Sequence, residues 1–267
     1  MIRSMIEPID SIDDERLAPY RNLKEMGTDI DERFIAEGEF LVRRLIESDL
    51  FVESILITPR RLESFEPIVS DDTKIYVARE QSISDIVGFH FHRGVIACGA
   101  RKPFVALADA FASARTNSTY VICPQVSDTE NLGGIMRSAA AFGASALVIG
   151  PECCDPFLRR CVRVSMGAVF NLPIVRSDNL DRDFKTLSEA YSVEIIAAVL
   201  ENGARLLSDA KRSNRPVAIV LGHEASGLTP DIIQRCHQSV TIPMHHGTDS
   251  LNVATAAAIF LYHFTRE

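Results

Sequence analysis

Short apolar runs alternate with stretches of helical period along most of this chain. Tyr120–Cys123, Ala146–Ile149, Leu172–Val175, Ile195–Val199 and Val217–Leu221 are apolar runs of strand length. Leu132–Phe142 reads as a helix with Ile135, Met136, Ala139 and Ala140 turned inward. Buried strands separated by helical or polar stretches predict a parallel sheet covered on both faces. Asn252–Phe264 reads as the last helix. Its small residues Ala254, Ala256, Ala257 and Ala258 imply close approach to another element.

The first hundred residues are less regular. Phe34–Ser48 has helical spacing, with Phe40, Leu41, Leu45 and Ile46 on one side. Ser54–Thr58, Lys74–Val77 and Val95–Cys98 read as short strands. A boundary is expected near Arg101–Pro103, giving a small α/β domain at 1–103 and a second domain at 104–267. No repeat or low-complexity stretch interrupts either. No apolar run is long enough to cross a bilayer, and Met1–Tyr20 is acidic with no apolar signal region, so a cytoplasmic protein is expected.

Charge complicates the choice of partner. The net charge of −8 disfavours nucleic acid, and most of the excess falls within residues 1–103. A local cluster can still contact phosphate on an acidic protein. Arg159, Arg160 and Arg163 form the densest basic group of the second half; Arg43, Arg44, Arg60, Arg61, Arg101 and Lys102 are candidates in the first. Each is equally explained as a solvated surface charge. The six cysteines show no C-x-x-C spacing and read as reduced, mostly buried thiols. His90 and His92, and His245 and His246, lack a third ligand at useful spacing, so no metal site is expected.

Neither G-x-G-x-x-G nor a P-loop is present. Gly222 to Gly227 looks like a nucleophile elbow, but Ser226 stands four residues after the first glycine instead of two, which removes the hydrolase reading. Three other segments stand out. In "NLGGIMRSAAAFG", beginning at Asn131, a polar residue and two glycines sit where a loop becomes a helix, and Arg137 follows among small and apolar residues. An arginine there takes a carboxylate or phosphate partner, or packs its stem and reaches water. In "VLGHEASGLTP", a buried strand ends at Gly222, with Glu224 in the loop beyond; ligands of open α/β sheets bind past such strand ends, where Gly222 would allow close approach. In "IPMHHGTDSLNVA", a short strand leads to a polar loop, and Ser250 or Asn252 caps the last helix. Capping alone accounts for both.

Together these segments resemble the signature motifs of the SpoU/TrmH branch of the SPOUT methyltransferases, and "VRVSMGAVFNLP" from Val162 resembles a fourth. They occur in the family's order, over residues 105–267. "FIAEGEFLVRRLIES" and "RGVIACGARK" resemble the ribosomal-protein-like RNA-binding domain that often precedes the catalytic one. The resemblance implies an α/β SPOUT domain with a parallel sheet and a deep C-terminal trefoil knot, behind a small α/β RNA-binding domain. It implies an S-adenosylmethionine-dependent methyltransferase acting on a ribose 2′-hydroxyl of rRNA or tRNA, as a homodimer whose subunits share each site. By match, Leu221, Gly222, Ile242, Met244 and Leu251 contact the cofactor. Arg137 is the central catalytic residue, with Asn131, Glu224, Ser250 and Asn252 in support. Asp128-Thr129 stands where many relatives have a proline after the aspartate, and His223 occupies a position that varies among relatives. A different class of reading is a non-catalytic RNA-binding or assembly factor that keeps the knot.

Overall fold

The computed structural model describes residues 6–23, 32–201 and 203–265. They form two compact units, one of residues 1–102 and 157–171, the other of 103–156 and 172–267. The first therefore takes in a segment lying well beyond the boundary expected near residue 103.

In the first unit the strands are β1 (Ile6–Pro8), β2 (Arg33–Glu37), β3 (Val52–Ile57), β4 (Lys74–Val77) and β5 (Val95–Ala100). The helices are α1 (Glu39–Ile46), α2 (Pro59–Phe65), α3 (Glu80–Val87) and the late-arriving α6 (Arg159–Val164). The sheet order is β1-β4-β3-β5-β2, with β5 antiparallel to both of its neighbours. The helix expected over Phe34–Ser48 is corrected here. Phe34 to Glu37 belongs to strand β2, and α1 begins only after Gly38 at φ +94°. Helical periodicity ran through this break because Gly38, which can turn the chain where L residues are strained, carries no apolar signal of its own. The buried residues of α1 are Leu41, Val42 and Leu45, while Phe40 is 49% exposed beneath the Arg44 guanidinium. Phe34 pairs with Gly99 across β2 and β5; a Cβ at Gly99 would lie 2.7 Å from the Phe34 ring. The ring packs against Phe157 and Phe170 of the late segment, at centroid distances of 5.2 and 5.4 Å.

The second unit is built on seven strands: β6 (Thr119–Cys123), β7 (Ala146–Ile149), β8 (Ile174–Arg176), β9 (Glu194–Ala198), β10 (Arg205–Leu206), β11 (Val217–Val220) and β12 (Gln238–Thr241). All are parallel, in the order β10-β12-β9-β11-β6-β7-β8. Every residue of β6, β7 and β11 is buried, as both-face coverage requires. The helices are α4 (Leu107–Phe111), α5 (Thr129–Ala141), α7 (Leu180–Glu189), α8 (Pro230–Gln234) and α9 (Val253–Phe264). On α5, Ile135, Met136 and Ala139 are buried as expected, but Ala140 is exposed; a further 100° around the helix carries it off the inner stripe. The small residues of α9 do mark a close approach. A Cβ on Gly134 of α5 would lie 2.9 Å from that of Ala254.

Candidate active site

The sheet reverses its winding between β6 and β11. From β6 the chain adds β7 and β8 on one side, then returns to build β9, β11 and β12 on the other. Such a reversal leaves a crevice beyond the carboxyl ends of the strands. A pocket of ≈ 490 Å³ lies there, within the range of small-molecule sites. Three stretches wall it: residues 198–201 after β9, 221–228 after β11, and 242–253 leading from β12 into α9. Leu221, Gly222, Ile242, Met244 and Leu251 all line it, as do Asn131, Glu224, Ser250 and Asn252.

Three of these polar side chains form one hydrogen-bonded row. Asn252 caps α9, its Oδ1 accepting from the N–H groups of Ala254 and Thr255 at 2.9 and 3.2 Å. Its Nδ2 donates to Asn131 Oδ1 at 2.7 Å, and Asn131 Nδ2 donates to Glu224 Oε1 at 3.0 Å. The same Oε1 accepts the Asp128 N–H at 3.1 Å. Partial burial raises the Glu224 pKa, but these donors outweigh it and the net shift is downward, so the group is held as a carboxylate. Ser250 lines the pocket without joining the row, and Asn252, not Ser250, is the cap.

Arg137 lies elsewhere. It is exposed on α5, stands outside the pocket lining, and forms no hydrogen bond or ion pair among the described residues. Six residues past Asn131 is 600° of helix, which leaves the two on different faces.

Gly222 has a structural reason of its own. A Cβ there would lie 2.4 Å from the Gly227 carbonyl carbon and 2.6 Å from the Leu228 nitrogen. The glycine lets the 222–227 loop close on itself, whatever a ligand requires. The sequence reading noted Asp128 only for the residue that follows it and missed its role as a cap. Asp128 caps α5, its Oδ1 accepting from the N–H of Glu130 and of Asn131 at 2.8 and 2.9 Å, and so fixes where Asn131 starts. The signal was present: an aspartate just before a helix is a strong cap.

The cysteines take no part in the pocket. Burial pushes the Cys98 and Cys236 thiols up to about 12, so they stay protonated and unreactive. Among the described residues no cluster of three metal-ligating side chains occurs, and no helix is long and apolar enough to cross a membrane.

An all-parallel sheet with a pocket past its strand ends and a polar row at the pocket wall defines an α/β protein built to bind a small ligand. Comparison narrows it. The profile of the SpoU rRNA methylase family matches residues 118–262. An uncharacterized tRNA/rRNA methyltransferase of Mycobacterium tuberculosis is 35% identical, over 98% of this chain and 92% of that one. The 23S rRNA (guanosine-2′-O-)-methyltransferase RlmB of Acinetobacter baylyi is 29% identical over 77% of this chain and 82% of its own. The AdoMet-bound rRNA methyltransferase of Sinorhizobium meliloti superposes with a TM-score of 0.84 at 27% identity, covering 97% of each chain. The chain belongs to the SpoU rRNA methylase family.

Proposed function

We propose that this protein transfers the methyl group of S-adenosylmethionine to a ribose 2′-hydroxyl of ribosomal RNA, in the cytoplasm and as a homodimer. The observation that carries the proposal is the Asn252–Asn131–Glu224 row at the wall of the pocket. The pocket suits the cofactor chemically. Leu221, Ile242, Leu251 and Phe260 offer apolar surface to an adenine, the loops offer backbone groups, and the charged lining residues Glu201 and Glu224 suit a cationic ligand. When bound, S-adenosylmethionine supplies an electrophilic methyl group on a positively charged sulfur. Threading of the 242–265 segment through a knot, expected from the family resemblance, belongs to the same reading.

A ribose hydroxyl is barely ionised at neutral pH, so the site must accept its proton or stabilise the developing alkoxide. Arg137 is assigned the second task. A guanidinium does not readily give up a proton, but that of Arg137 can hold the oxygen and the neighbouring phosphate. It stands exposed and outside the lining of its own pocket, so it is assigned to the site of a second copy. The exposed apolar residues Ile259 and Tyr262 on α9 offer the contact surface for that copy. Glu224, Asn131 and Asn252 hold the pocket wall in one arrangement, and Ser250 faces the reacting groups.

The first unit is assigned to RNA binding. Although residues 1–102 are acidic overall, four arginines converge on two glutamates there. Arg93 and Arg159 flank Glu37 at 3.2 and 2.8 Å, and Arg43 and Arg61 flank Glu39 at 3.2 and 2.7 Å. The excess guanidinium charge, with the Arg44–Phe40 pair beside it, suits phosphate and an unstacked base.

The deciding experiment is calorimetric titration with S-adenosylmethionine, followed by transfer of labelled methyl to ribosomal RNA transcripts. Ile242→Trp, which fills part of the pocket, should abolish binding. Label resistant to alkaline cleavage at the modified nucleotide reports 2′-O-methylation, since that cleavage needs a free 2′-hydroxyl. Cofactor binding without transfer to any ribosomal transcript sends the search to transfer RNA. No binding by folded protein overturns the enzyme reading in favour of an RNA-binding factor. For the first unit, Arg44→Ala with Arg60→Ala should lower the salt dependence of RNA affinity by about two counterions.

A further inference from the structure

The loop that carries Glu224 is folded around its own histidine. His223 N–H donates to the Gly227 carbonyl at 3.0 Å, and Gly227 N–H donates back at 2.9 Å. Inside this closed turn, His223 Nδ1 accepts the N–H groups of Ala225 and Ser226 at 3.1 and 3.3 Å. A ring nitrogen that accepts two amide protons carries none itself, so the proton of the neutral imidazole is on Nε2. Nε2 faces Glu224 Oε2 at 3.8 Å, outside hydrogen-bond reach. Glu224 is thus held from two sides, by Asn131 and Asp128 at Oε1 and by the turn that bears it.

We propose that His223 is a positioning residue for methyl transfer: its unprotonated Nδ1 organises the 224–226 turn and so sets the Glu224 carboxylate against Asn131. The proposal rests on the methyltransferase reading above. Without that acceptor the turn would lose both internal bonds and Glu224 would leave the row. The charged group set against the imidazole is the Glu224 carboxylate of its own loop; Glu201 lines the same pocket, and among the described residues no lysine or arginine does.

Three proteins separate this role from a merely structural one. Asparagine places Oδ1 close to the position of histidine Nδ1 and accepts the same two N–H groups. His223→Asn should keep kcat within about threefold of wild type near neutral pH. His223→Ala removes the acceptor and should lower kcat about tenfold, with the KM for S-adenosylmethionine moving less than about threefold. Thermal melts confirm that each variant is folded. The proposal is overturned by a folded His223→Ala with wild-type kcat, or by His223→Asn as slow as His223→Ala. Long-range nitrogen–proton correlation spectra of the full-length wild type supply a readout independent of turnover. An unprotonated Nδ1 near neutral pH is expected, and a protonated one overturns the proposal. Failure of the wild type to methylate any RNA sinks the methyltransferase reading alone and leaves the spectrum to decide the hydrogen bonds.

Discussion

Asn131 donates its amide N–H to Glu224 Oε1 at 3.0 Å while its own oxygen accepts from Asn252 at 2.7 Å. Only a side chain with one donor end and one acceptor end can bridge these two neighbours. Asn131→Asp keeps the shape, removes the donor and sets a second carboxylate beside Glu224. Turnover is expected to fall about 100-fold, with S-adenosylmethionine affinity within about threefold. Single-turnover kinetics beside calorimetry measures both; equal losses in the two would place Asn131 in cofactor binding instead.

Glu224 also links folding to pH. Its folded pKa is depressed below the ordinary value of 4.5. Its contribution to stability is therefore complete above that value and is lost as pH falls through the lower folded value. Glu224→Gln should flatten the acid side of the stability profile there and leave the alkaline side unchanged. Denaturant midpoints taken across the acidic range test this, and a profile parallel to wild type contradicts it.

Arg212 fastens the far end of α9. Its guanidinium donates to the carbonyls of Thr116, Ser118 and Phe264 and to Thr119 Oγ1. Burial lowers its pKa, yet it remains charged and its donors are well used. Arg212→Ala strands several carbonyls at once and should destabilise the fold by about 3 kcal/mol. Arg212→Lys, with one compact ammonium in place of a planar fork, should recover less than half. Chemical denaturation decides; full recovery by lysine would show that charge alone matters.

Arg137 stands outside the pocket that Glu224 lines, which permits a complementation test. Arg137→Ala and Glu224→Gln should each be nearly inactive alone. If Arg137 serves the partner's pocket, a refolded equimolar mixture should recover roughly a quarter of wild-type activity, because half of the dimers then hold one intact site. A mixture no better than its components would put both residues in the same protomer's site.

Much of the fold was legible in the hydrophobic pattern. Lys74–Val77 and Ala146–Ile149 could be read to the residue because buried strands are short, apolar and sharply bounded. Phe34–Ser48 was misread because two faces of different period abut at Gly38, and one window averaged them. The site residues were legible as a set only through their resemblance to a family. Their mutual contacts were not, since nothing local ties Asn131 to a glutamate 93 positions later. His223 looked incidental because its partners are backbone amides, which leave no mark in a side-chain pattern.

The composition of the first unit has a consequence for synthesis. Among the described residues, Phe34 on β2 finds its aromatic partners in Phe157 and Phe170. On the ribosome, that surface must wait uncovered while β6, α5 and β7 of the other unit emerge. Order of translation and order of completion are therefore inverted for this part of the chain. A gene fragment ending near codon 103 would encode a nascent product with a greasy, unfinished flank, and the shortest self-contained message for the first unit extends through Asn171.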